Sequence, residues 1–537
     1  MNFRGREGNV VFHLLGLLAL SFAVRVGVAL LFDRPGYMDA YYYFDVAESI
    51  YHGKGMVEEF LWNYLDNPQG IPHPAFLYWM PLPSLLIYLS FLALGASYRA
   101  SQAPFILLAA LLPLLSYFVT RDVIRREHIH GYLQVTFPLL AALLTVFSGF
   151  YTVYWAAPDN FAPFALAGGM CLWGLGKMMQ GENSLTWPFL VGVTAGLAHL
   201  ARADGLLLLA PLVLLFINRA GRHLTLRWRG CVLALAAYAA VMAPWFIRNI
   251  SVIGSPLPAT GLKSVFLTDY DDLFSYGREI SLQSYLAWGA GNIVRSKLWA
   301  AWLNFQTVLA VFLLVFLAPP FVVGAWKLRK CRFLWPFYLY AALLWGTMTL
   351  VFTFPGPRGS LFHSGGALLP FVFAVSAVGL GGISEWWAGK RSLNADALWR
   401  VNFAAAILMA MLVSGFVLYR AIGCNGWNRR DTLYEEVGAW LEANVPDEAL
   451  MMVGNPPGFY YFTHRLCIVV PNGDVETVLE VANRYGASHL LLELNHPKPL
   501  APLYEGQLQD ARLRPVKRFG DAVLFAIEAK QKAFVWR

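Results

Sequence analysis

Residues 103–120 read APFILLAALLPLLSYFVT, and the next six residues, 121–126, read RDVIRR. The first stretch has 18 residues without a charged side chain, close to the ~20 residues that a helix needs to cross a bilayer. The basic cluster beside it is typical of a cytoplasmic loop, because Lys and Arg accumulate on that side of membrane proteins. The two stretches therefore predict a membrane-spanning helix whose carboxyl end faces the cytoplasm.

The composition extends this interpretation to most of the chain. Of the 537 residues, 58% are hydrophobic and 14% are charged, whereas about 25% are charged in an average soluble protein. Residues 425–537 hold 26 charged side chains, and residues 1–424 hold only 48. This distribution excludes an ordinary soluble enzyme and a nucleic-acid-binding module, despite the net charge of +8. It predicts a polytopic α-helical membrane domain at 1–424 and a small soluble α/β domain at 425–537.

Further apolar segments alternate with connections of two kinds, basic and non-basic. Six connections are basic, and the positive-inside rule places all six in the cytoplasm. The further segments lie near 10–32, 77–97, 132–149, 159–177, 186–201, 205–218, 231–247, 298–320, 333–354, 366–384 and 401–420. The basic residues are Arg4, Arg6, Arg121, Arg125, Arg126, Lys177, Arg219, Arg222, Arg227, Arg229, Lys327, Arg329, Lys330, Arg332, Lys390, Arg391 and Arg400.

The six basic connections share one side only if one early apolar segment does not cross. The best candidate is 77–97, because Pro81, Pro83 and several Tyr and Trp residues are typical of a segment that lies in the membrane interface. We therefore expect about eleven membrane helices in the plasma membrane, with a cytoplasmic N-terminus and an extracytoplasmic C-terminal domain. The first outer loop, 33–102, then contains juxtamembrane helices. A miscount within 186–218 would alter the number of helices.

The first outer loop contains a candidate catalytic carboxylate. Residues 36–50 read GYMDAYYYFDVAESI, and their helical spacing predicts an amphipathic helix on the bilayer with Asp39 near its N-terminus. A carboxylate there can take a proton from a hydroxyl that arrives from water, while an apolar partner arrives from the lipid. A helix N-cap is an equally compatible role for Asp39. Tyr43 and Asp45, on the same helix, are expected to support the site.

Other predicted outer segments carry candidate ligands for a phosphate group. Asp159 lies at the mouth of a hairpin, where an ordinary helix start is the favoured explanation. Arg202 lies between two short apolar runs, where a locally paired turn would also explain it. Snorkelling is an equal alternative for Arg248 at a span end. Arg358 and His363 lie in a loop rich in Gly and Pro. Arg and His residues that converge on one membrane edge would suit a phosphate at headgroup depth.

In this order, the segments resemble the GT-C superfamily of integral-membrane glycosyltransferases. Within it, the chain is most similar to bacterial relatives of the protein O-mannosyltransferases and the lipid A aminoarabinose transferases, over roughly residues 10–420. The resemblance rests on Arg25, on Asp39 with Tyr43, Ala47 and Gly53, on His73-Pro74 with Tyr78-Trp79, on Gly196–Gly205, on Pro244-Trp245 with Arg248-Asn249, and on Gly254-Ser255-Pro256.

The resemblance implies an inverting transfer of a sugar from a polyprenyl-phosphate carrier to a glycan, lipid or protein acceptor on the extracytoplasmic face. Asp39 would be the general base. Residues expected to bind the donor or its phosphate are His73, Asp159, Arg202, Arg248, Arg358 and His363. Ala40 stands where the family commonly has a second acidic residue, and His73 stands where the aminoarabinose transferases have Lys. These departures leave the sugar and a divalent cation open, and no metal ligand is assigned.

Two other function classes compete with this interpretation. One is a transporter or flippase of lipid-linked sugars, and the other is a non-catalytic membrane scaffold. No inverted repeat is visible, and the unusual charges gather at one predicted edge instead of the bilayer midplane, which favours the enzyme. Within the tail, the aromatic turn 454–461 could bind a saccharide, but docking onto the membrane domain is favoured. Cys424 and Cys467 could meet, although unpaired thiols are favoured.

The tail itself predicts a small α/β unit. We expect helices at 433–445, 456–464 and 475–485, strands at 449–453, 467–470 and 488–493, and a terminal hairpin of 513–519 with 522–527.

Overall fold

Apolar helices dominate the chain up to residue 424. The computed structural model describes residues 3–127, 133–180, 184–214 and 224–528, and within these it has six helices long and apolar enough to cross a membrane. They are Val11–Ala29, Tyr98–Arg126, Trp228–Ile253, Arg332–Val351, Gly356–Arg391 and Ala395–Asn444. Shorter apolar helices are Leu82–Leu94, Leu133–Val146, Thr186–Ala201 and Ala203–Val213. The chain is thus a multi-pass, mostly helical membrane protein, and the number of eleven crossings stays a prediction.

The helices are numbered here in chain order. Short 3-10 and π turns join several of them end to end. Those before residue 300 are α1 (Phe3–Ala29), α2 (Met38–Tyr51), α3 (Leu82–Leu94), α4 (Tyr98–Arg126), α5 (Leu133–Val146), α6 (Tyr151–Tyr154), α7 (Phe161–Met179), α8 (Thr186–Ala201), α9 (Leu224–Ile253), α10 (Thr260–Lys263), α11 (Leu282–Ala287) and α12 (Ala290–Thr307). Those that follow are α13 (Ala318–Lys327), α14 (Trp335–Gly346), α15 (Leu361–Gly365), α16 (Leu369–Arg391), α17 (Ala395–Tyr419), α18 (Thr432–Asn444), α19 (Pro456–Thr463), α20 (Val475–Tyr485) and α21 (Ala501–Tyr504).

The predicted topology rests on basic residues that the structure describes unevenly. Arg219 and Arg222 lie outside the described residues, as do the side chains of Arg4, Arg6 and Arg227.

The segment predicted not to cross contains α3, which has 13 residues. At 1.5 Å per residue such a helix is roughly 20 Å long, shorter than the ~30 Å of a hydrocarbon core. The length of α3 is therefore compatible with a helix that does not cross.

Helix α2 lies inside the protein, so the expectation of an amphipathic helix on the bilayer is wrong. The side chains of Tyr41, Tyr42, Tyr43 and Ala47 are completely buried although they point in different directions around the helix. The physical reason is that aromatic residues occupy several faces of α2, and α3 and α19 cover them from two sides. Burial fixes the helix that carries Asp39 more firmly than a membrane surface would.

A six-stranded sheet joins the two ends of the chain. Its strands are β2 (Phe60–Leu61), β4 (Leu450–Val453), β5 (Cys467–Val469), β6 (Ala487–Leu492), β7 (Leu513–Phe519) and β8 (Ala522–Ile527), while β1 (Val57–Glu58) pairs with β3 (His73–Pro74) in a separate ladder. The strand order of the sheet is β2-β5-β4-β6-β8-β7. Strands β2, β5, β4 and β6 are parallel, and β8 is antiparallel to its neighbours β6 and β7.

The edge strand β2 belongs to the first outer loop, so the sheet extends across the predicted domain boundary at residue 425. Phe60 pairs with Cys467, and Leu61 pairs with Ile468. Because these strands are hydrogen-bonded neighbours, the first outer loop and the C-terminal domain lie on the same side of the membrane. An even number of helices must therefore cross between them.

The aromatic turn of the tail docks onto the membrane domain, as favoured from the sequence. It forms the start of α19, whose Tyr461 ring lies 5.0 Å from the rings of both Tyr41 and Phe44 on α2. The hydroxyl of Tyr460 donates a hydrogen bond to Glu59 in the first outer loop. All five cysteines are free thiols, including Cys467 beside this interface. The C-terminal domain thus braces the helix that carries Asp39.

Arg25, on which part of the resemblance rests, has a structural role. It is completely buried in α1, and its guanidinium donates hydrogen bonds to the carbonyl oxygens of Thr145 (2.8 Å) and Val146 (2.9 Å). These are the last residues of α5, where carbonyl groups have no partner within the helix. Arg25 therefore ties α1 to the end of α5.

Candidate active site

Three side chains that could act together chemically meet at one end of the helical bundle. Asp39 lies in the first turn of α2, Asp159 precedes α7, and His363 lies in α15. One potential ligand atom of each residue lies within 4.8 Å of those of the other two. Asp159 is fully buried, whereas Asp39 and His363 are partly buried. These three residues are called the acidic site below.

Asp159 is held by hydrogen bonds from two sides. Its Oδ2 accepts a bond of 2.8 Å from the hydroxyl of Tyr37, and its Oδ1 accepts one of 2.5 Å from the backbone N–H of Asn160. The N-cap residue of α7 is Asn160, and no side chain caps that helix. The helix-start interpretation is therefore wrong for the Asp159 carboxylate. The N-cap alternative for Asp39 is wrong too, because the N-cap position of α2 belongs to Tyr37.

His363 is oriented by its neighbours. Its Nδ1 lies 2.7 Å from Oδ1 of Asn160, and its ring stacks on Phe161 at a centroid distance of 3.8 Å. Asn160 donates its other amide group to the hydroxyl of Tyr43 at 3.3 Å. This network places the imidazole proton on Nδ1 and leaves the lone pair on Nε2. Asn160 thus connects His363 with Tyr43 on α2.

Arg202 supplies positive charge next to the acidic site. Its Nε donates hydrogen bonds of 3.0 Å to Oδ1 of Asp204 and to the hydroxyl of Ser364, and Ser364 in turn donates to Asp204. The local pair with Asp204 was an alternative explanation of Arg202, and the structure shows that pair. The side chain is nevertheless close enough for its charge to lower the pKa of both Asp39 and Asp159.

The environment gives Asp39 the proton affinity of a base that works near neutrality. Burial, and then the negative charge of Asp159, raise the pKa of Asp39 to about 7, although Arg202 opposes them. Burial also raises the pKa of Asp159, and the hydrogen bonds from Asn160 and Tyr37 act in the opposite direction. Two carboxyl groups in such a position resist being charged together. A general base is most effective when its pKa lies near the working pH.

His73 and Arg248 lie in a second, neighbouring group. His73 Nε2 is 2.9 Å from Oδ2 of Asp66, and its Nδ1 is 3.5 Å from Oε2 of Glu58. Burial acts to lower the pKa of His73, but the bonds to Asp66 and Glu58 outweigh it and raise the pKa to about 10. Arg248 donates to the carbonyl of Met56, two residues before Glu58. His73 is therefore a cation at neutral pH, and these residues form the His73 cluster.

Consecutive tyrosines of α2 connect the two groups. Tyr43 faces the acidic site through Asn160, and the hydroxyl of Tyr42 donates to Glu58 Oε1 at 2.6 Å. The same Tyr42 hydroxyl accepts a bond of 2.8 Å from the backbone N–H of Phe76. A shift of α2 would therefore change both groups at once.

Arg358 and Asp45 lie apart from these groups. Arg358 is exposed, with its guanidinium 5.1 Å from the ring centre of Tyr270. Burial, and then the charge of Asp39, raise the pKa of Tyr270 to about 12, and Arg358 lowers it, so both charged groups lie near Tyr270. Asp45 is only 1% exposed and lies near Glu48 and Glu59, on the side of α2 that meets the tail. It makes no contact with Asp39 that would support the site.

Several residues of these groups were not predicted from the sequence. The acidic residues Glu58 and Asp66 carry a weak signal, because charged residues are rare in the membrane domain. Asn160 directly follows a predicted site residue. Tyr37 and Tyr270 have no such signal, because tyrosines near span ends are common interface residues.

Comparison with known proteins shows a fold that is shared at low sequence identity. No protein-family model matches the sequence, and no curated protein matches it. Among solved structures, the oligosaccharyltransferase AglB from Archaeoglobus fulgidus, in complex with an inhibitory peptide and a dolichol-phosphate, is 13% identical with a TM-score of 0.59. The match covers 92% of this chain and 71% of AglB. A structure of the A. fulgidus oligosaccharyltransferase with zinc and sulfate also has a TM-score of 0.59, at 12% identity, covering 91% of this chain and 69% of that one.

The match to a bacterial protein covers both chains almost completely. ArnT from Cupriavidus metallidurans, bound to undecaprenyl phosphate, is 13% identical with a TM-score of 0.54. The match covers 97% of this chain and 98% of ArnT. All three structures belong to the GT-C superfamily, and this chain shares their fold.

Proposed function

We propose that this chain, which has the GT-C fold, moves a sugar from a polyprenyl-phosphate donor to an acceptor hydroxyl at the extracytoplasmic face of the membrane. The observation that carries the proposal is the grouping of Asp39, Asp159 and His363 in one site, where burial and the charge of Asp159 raise the pKa of Asp39. Such a carboxylate can accept a proton from an alcohol as the alcohol attacks. Structures similar to this one contain dolichol-phosphate or undecaprenyl phosphate, which supports a lipid-linked donor.

In the proposed reaction Asp39 is the general base. The acceptor hydroxyl gives its proton to the Asp39 carboxylate while its oxygen attacks the anomeric carbon of the sugar. The bond between that carbon and the phosphate oxygen breaks, and the lipid phosphate leaves with both electrons of the bond. Attack opposite the leaving group inverts the anomeric configuration. Tyr37 and Asn160 keep Asp159 in place beside the base.

Cationic side chains would stabilise the negative charge that develops on the phosphate. Arg202 is the nearest to the acidic site, and Ser364 and Asp204 hold it in one orientation. His73 remains charged at neutral pH and lies on the far side of the Tyr42–Tyr43 pair. Fixed cations in a water-poor site can contribute several kcal/mol to a transition state, on the order of 3 kcal/mol per contact.

The acidic site also fits a divalent cation. Two carboxylates and one imidazole suit Mn²⁺ or Zn²⁺. Because a positive ion would relieve the repulsion that raises the pKa of Asp39, the pKa of about 7 and the pH profile derived from it belong to the site without the ion. A bound cation would supply Lewis-acid stabilisation of a phosphate oxygen. The A. fulgidus structure with zinc and sulfate supports this part of the proposal.

The proposal is tested with purified, folded protein and a panel of undecaprenyl-phosphate-linked sugars, by measuring the release of undecaprenyl phosphate. Asp39→Asn should reduce the rate by roughly 10²–10⁴-fold, because the base is lost and the shape is kept. Asp521→Asn, an exposed Asp in the turn between β7 and β8, removes the same charge away from the site and should leave the rate unchanged. Near-normal release by a folded Asp39→Asn protein would contradict the assignment of the base.

A further inference from the structure

We propose that the end of the bundle opposite the acidic site binds the headgroup of an anionic phospholipid with a glycerol headgroup. The site is an open pocket of about 350 Å³ lined by Arg126, Gln180, Lys330 and Arg332, together with Glu127, and it is called the basic pocket below. Its volume lies at the low end of the roughly 300–1,000 Å³ of small-molecule sites. The proposal does not depend on the proposed function.

Three helix ends place the basic pocket at a membrane interface. Helix α4 ends at Arg126, α7 ends at Met179 beside Gln180, and Lys330 and Arg332 lie between α13 and α14. Helix α7 starts two residues after Asp159 and has 19 residues, so its ends are roughly 28 Å apart. That length is close to the ~30 Å thickness of a hydrocarbon core. Helix α4, one of the six candidate membrane-crossing helices, starts beside the loop that carries Asp39, where Arg99 pairs with Asp33, and ends at Arg126 in the pocket. The acidic site and the basic pocket therefore lie at opposite faces of the bilayer.

The charges of the basic pocket match a phosphodiester. Among the lining residues that the structure describes, three cations face one acid, and aromatic rings help to position two of these cations. The guanidinium of Arg126 lies 5.4 Å from the ring centre of Phe333, and that of Arg332 lies 5.9 Å from the ring of Trp335. Basic pockets between membrane helices commonly bind anionic lipid headgroups. A phosphate at this depth would balance part of the excess positive charge.

A hydrogen-bond acceptor of Gln180 in the pocket favours a headgroup that carries a donor. Oε1 of Gln180 is buried and has no hydrogen-bond partner among the residues that the structure describes. A buried acceptor without a partner costs about 1–3 kcal/mol, so a donor from a ligand would be favourable. The hydroxyl groups of a glycerol headgroup are such donors, whereas choline has none. A glycerol headgroup, as in phosphatidylglycerol, therefore supplies both the anionic phosphate and a hydrogen-bond donor for Gln180.

A stripe of exposed apolar side chains on α13 leads to the basic pocket. On α13, Val322 and Trp326 are 66% and 68% exposed and lie four residues apart, so they share one face of the helix. Lys330 follows four residues later, just beyond the end of α13. Acyl chains that pack along this stripe would place their headgroup at Lys330. The apolar stripe and the basic pocket together distinguish a lipid from a free anion.

The experiment uses the full chain in detergent and measures retained lipid by native mass spectrometry. The probe is palmitoyl-oleoyl phosphatidylglycerol, with the corresponding phosphatidylcholine and inorganic phosphate as comparisons. K330Q/R332Q should reduce retention of phosphatidylglycerol roughly tenfold or more. The matched control is K390Q/R391Q at the end of α16, where Lys390 and Arg391 lie 5.0 Å and 5.7 Å from Trp rings, as Arg332 lies beside Trp335. This control should retain the lipid as the unchanged protein does.

Each other result would overturn the proposal. Equal loss of phosphatidylglycerol in both double variants would show a general attraction between basic loops and an anionic lipid. Equal retention of phosphatidylcholine would remove the headgroup preference, and competition by inorganic phosphate at the lipid's own concentration would show a site for free phosphate. Lys330→Gln alone, an exposed residue, serves as the second variant if K330Q/R332Q does not fold, and it should show a smaller loss in the same direction.

Discussion

The two ends of α7 place charged groups in opposite environments. At its start Asp159 is fully buried among Tyr37, Asn160 and Asp39, whereas at its end cations line an open pocket. Burial changes the proton affinity of the acidic groups, which is what a catalyst needs. At the other end Lys330 and Arg332 are exposed, on the surface where the proposed headgroup would bind. The same helix therefore shows that the surroundings of a charge, more than its presence, decide what it can do.

The largest effect is expected at the buried end. Asp159→Asn should lower the rate of sugar transfer by roughly 10²–10³-fold, because the acidic site loses a charge that positions Tyr37 and raises the pKa of Asp39. The rate is measured as release of undecaprenyl phosphate. A loss that matches a proportional loss of folded protein would mean that Asp159 has only a structural role.

Asp122→Asn, the matched substitution near the C-terminal end of α7, should affect stability instead of rate. Asp122 on α4 accepts hydrogen bonds of 2.8 Å from Trp173 and Lys177, both on α7, and it is almost completely buried. Asp122→Asn leaves Lys177 partly buried beside a neutral group, which should lower the free energy of unfolding by about 3 kcal/mol. Thermal unfolding in detergent measures this loss. The rate per folded molecule should stay unchanged, and a fall comparable with that of Asp159→Asn would break the comparison.

A buried carboxyl outside both ends tests whether burial alone costs stability. Both carboxylate oxygens of Asp45 lack partners among the described residues, and burial, then Glu48 and Glu59, raise its pKa well above the usual value. A raised pKa in the folded state means that stability is lost as the pH rises. Between about pH 5 and pH 8, the melting temperature should therefore fall less in Asp45→Asn than in the unchanged protein. At the upper pH the variant should be about 1–3 kcal/mol more stable. Identical pH slopes would contradict this.

The smallest effect concerns the pH dependence of the rate. Because the pKa of Asp39 is raised to about 7 and the base must be deprotonated, the rate should rise with pH and level off above neutrality. In Asp159→Asn the repulsion from the second carboxylate is gone, so the residual activity should level off at a lower pH. The measurement is kcat/KM against pH for both proteins. A midpoint that does not move would mean that Asp159 does not influence the proton affinity of Asp39.

The elements that sequence patterns predicted best are those whose signal is local. The helix at Val475–Tyr485 and the hairpin of Leu513–Phe519 with Ala522–Ile527 have the predicted bounds, because alternation and turn residues are contained within each segment. Strand β2 was not predicted. It has two residues, and its partner Cys467 lies about 400 residues further along the chain. No local pattern can encode such a pairing.

For the candidate site, single residues were predicted from the sequence but their spatial grouping was not. Asp39 was singled out because helical spacing placed it near the start of a helix expected at the bilayer and because the family resemblance makes it the base. Its partners His363 and Arg202 were predicted one by one. The sequence did not predict how these residues are grouped. In the structure His73 and Arg248 lie apart from the acidic site. Asn160 joins α2 and α15 by hydrogen bonds with Tyr43 and His363, yet it carries no charge, and its sequence signal was only its position after Asp159.

Strand β2 also sets an order of events during synthesis. Ribosomes add about 5–20 residues per second, so the partner strand β5 appears roughly 20–80 s after β2. Until then the loop that carries Asp39 has neither its sheet neighbour nor the bracing helix α19. The loop that carries Asp39 would therefore be completed among the last parts of the molecule, although it is translated among the first. A chain that stops before Cys467 would reach the membrane with the surroundings of Asp39 unassembled.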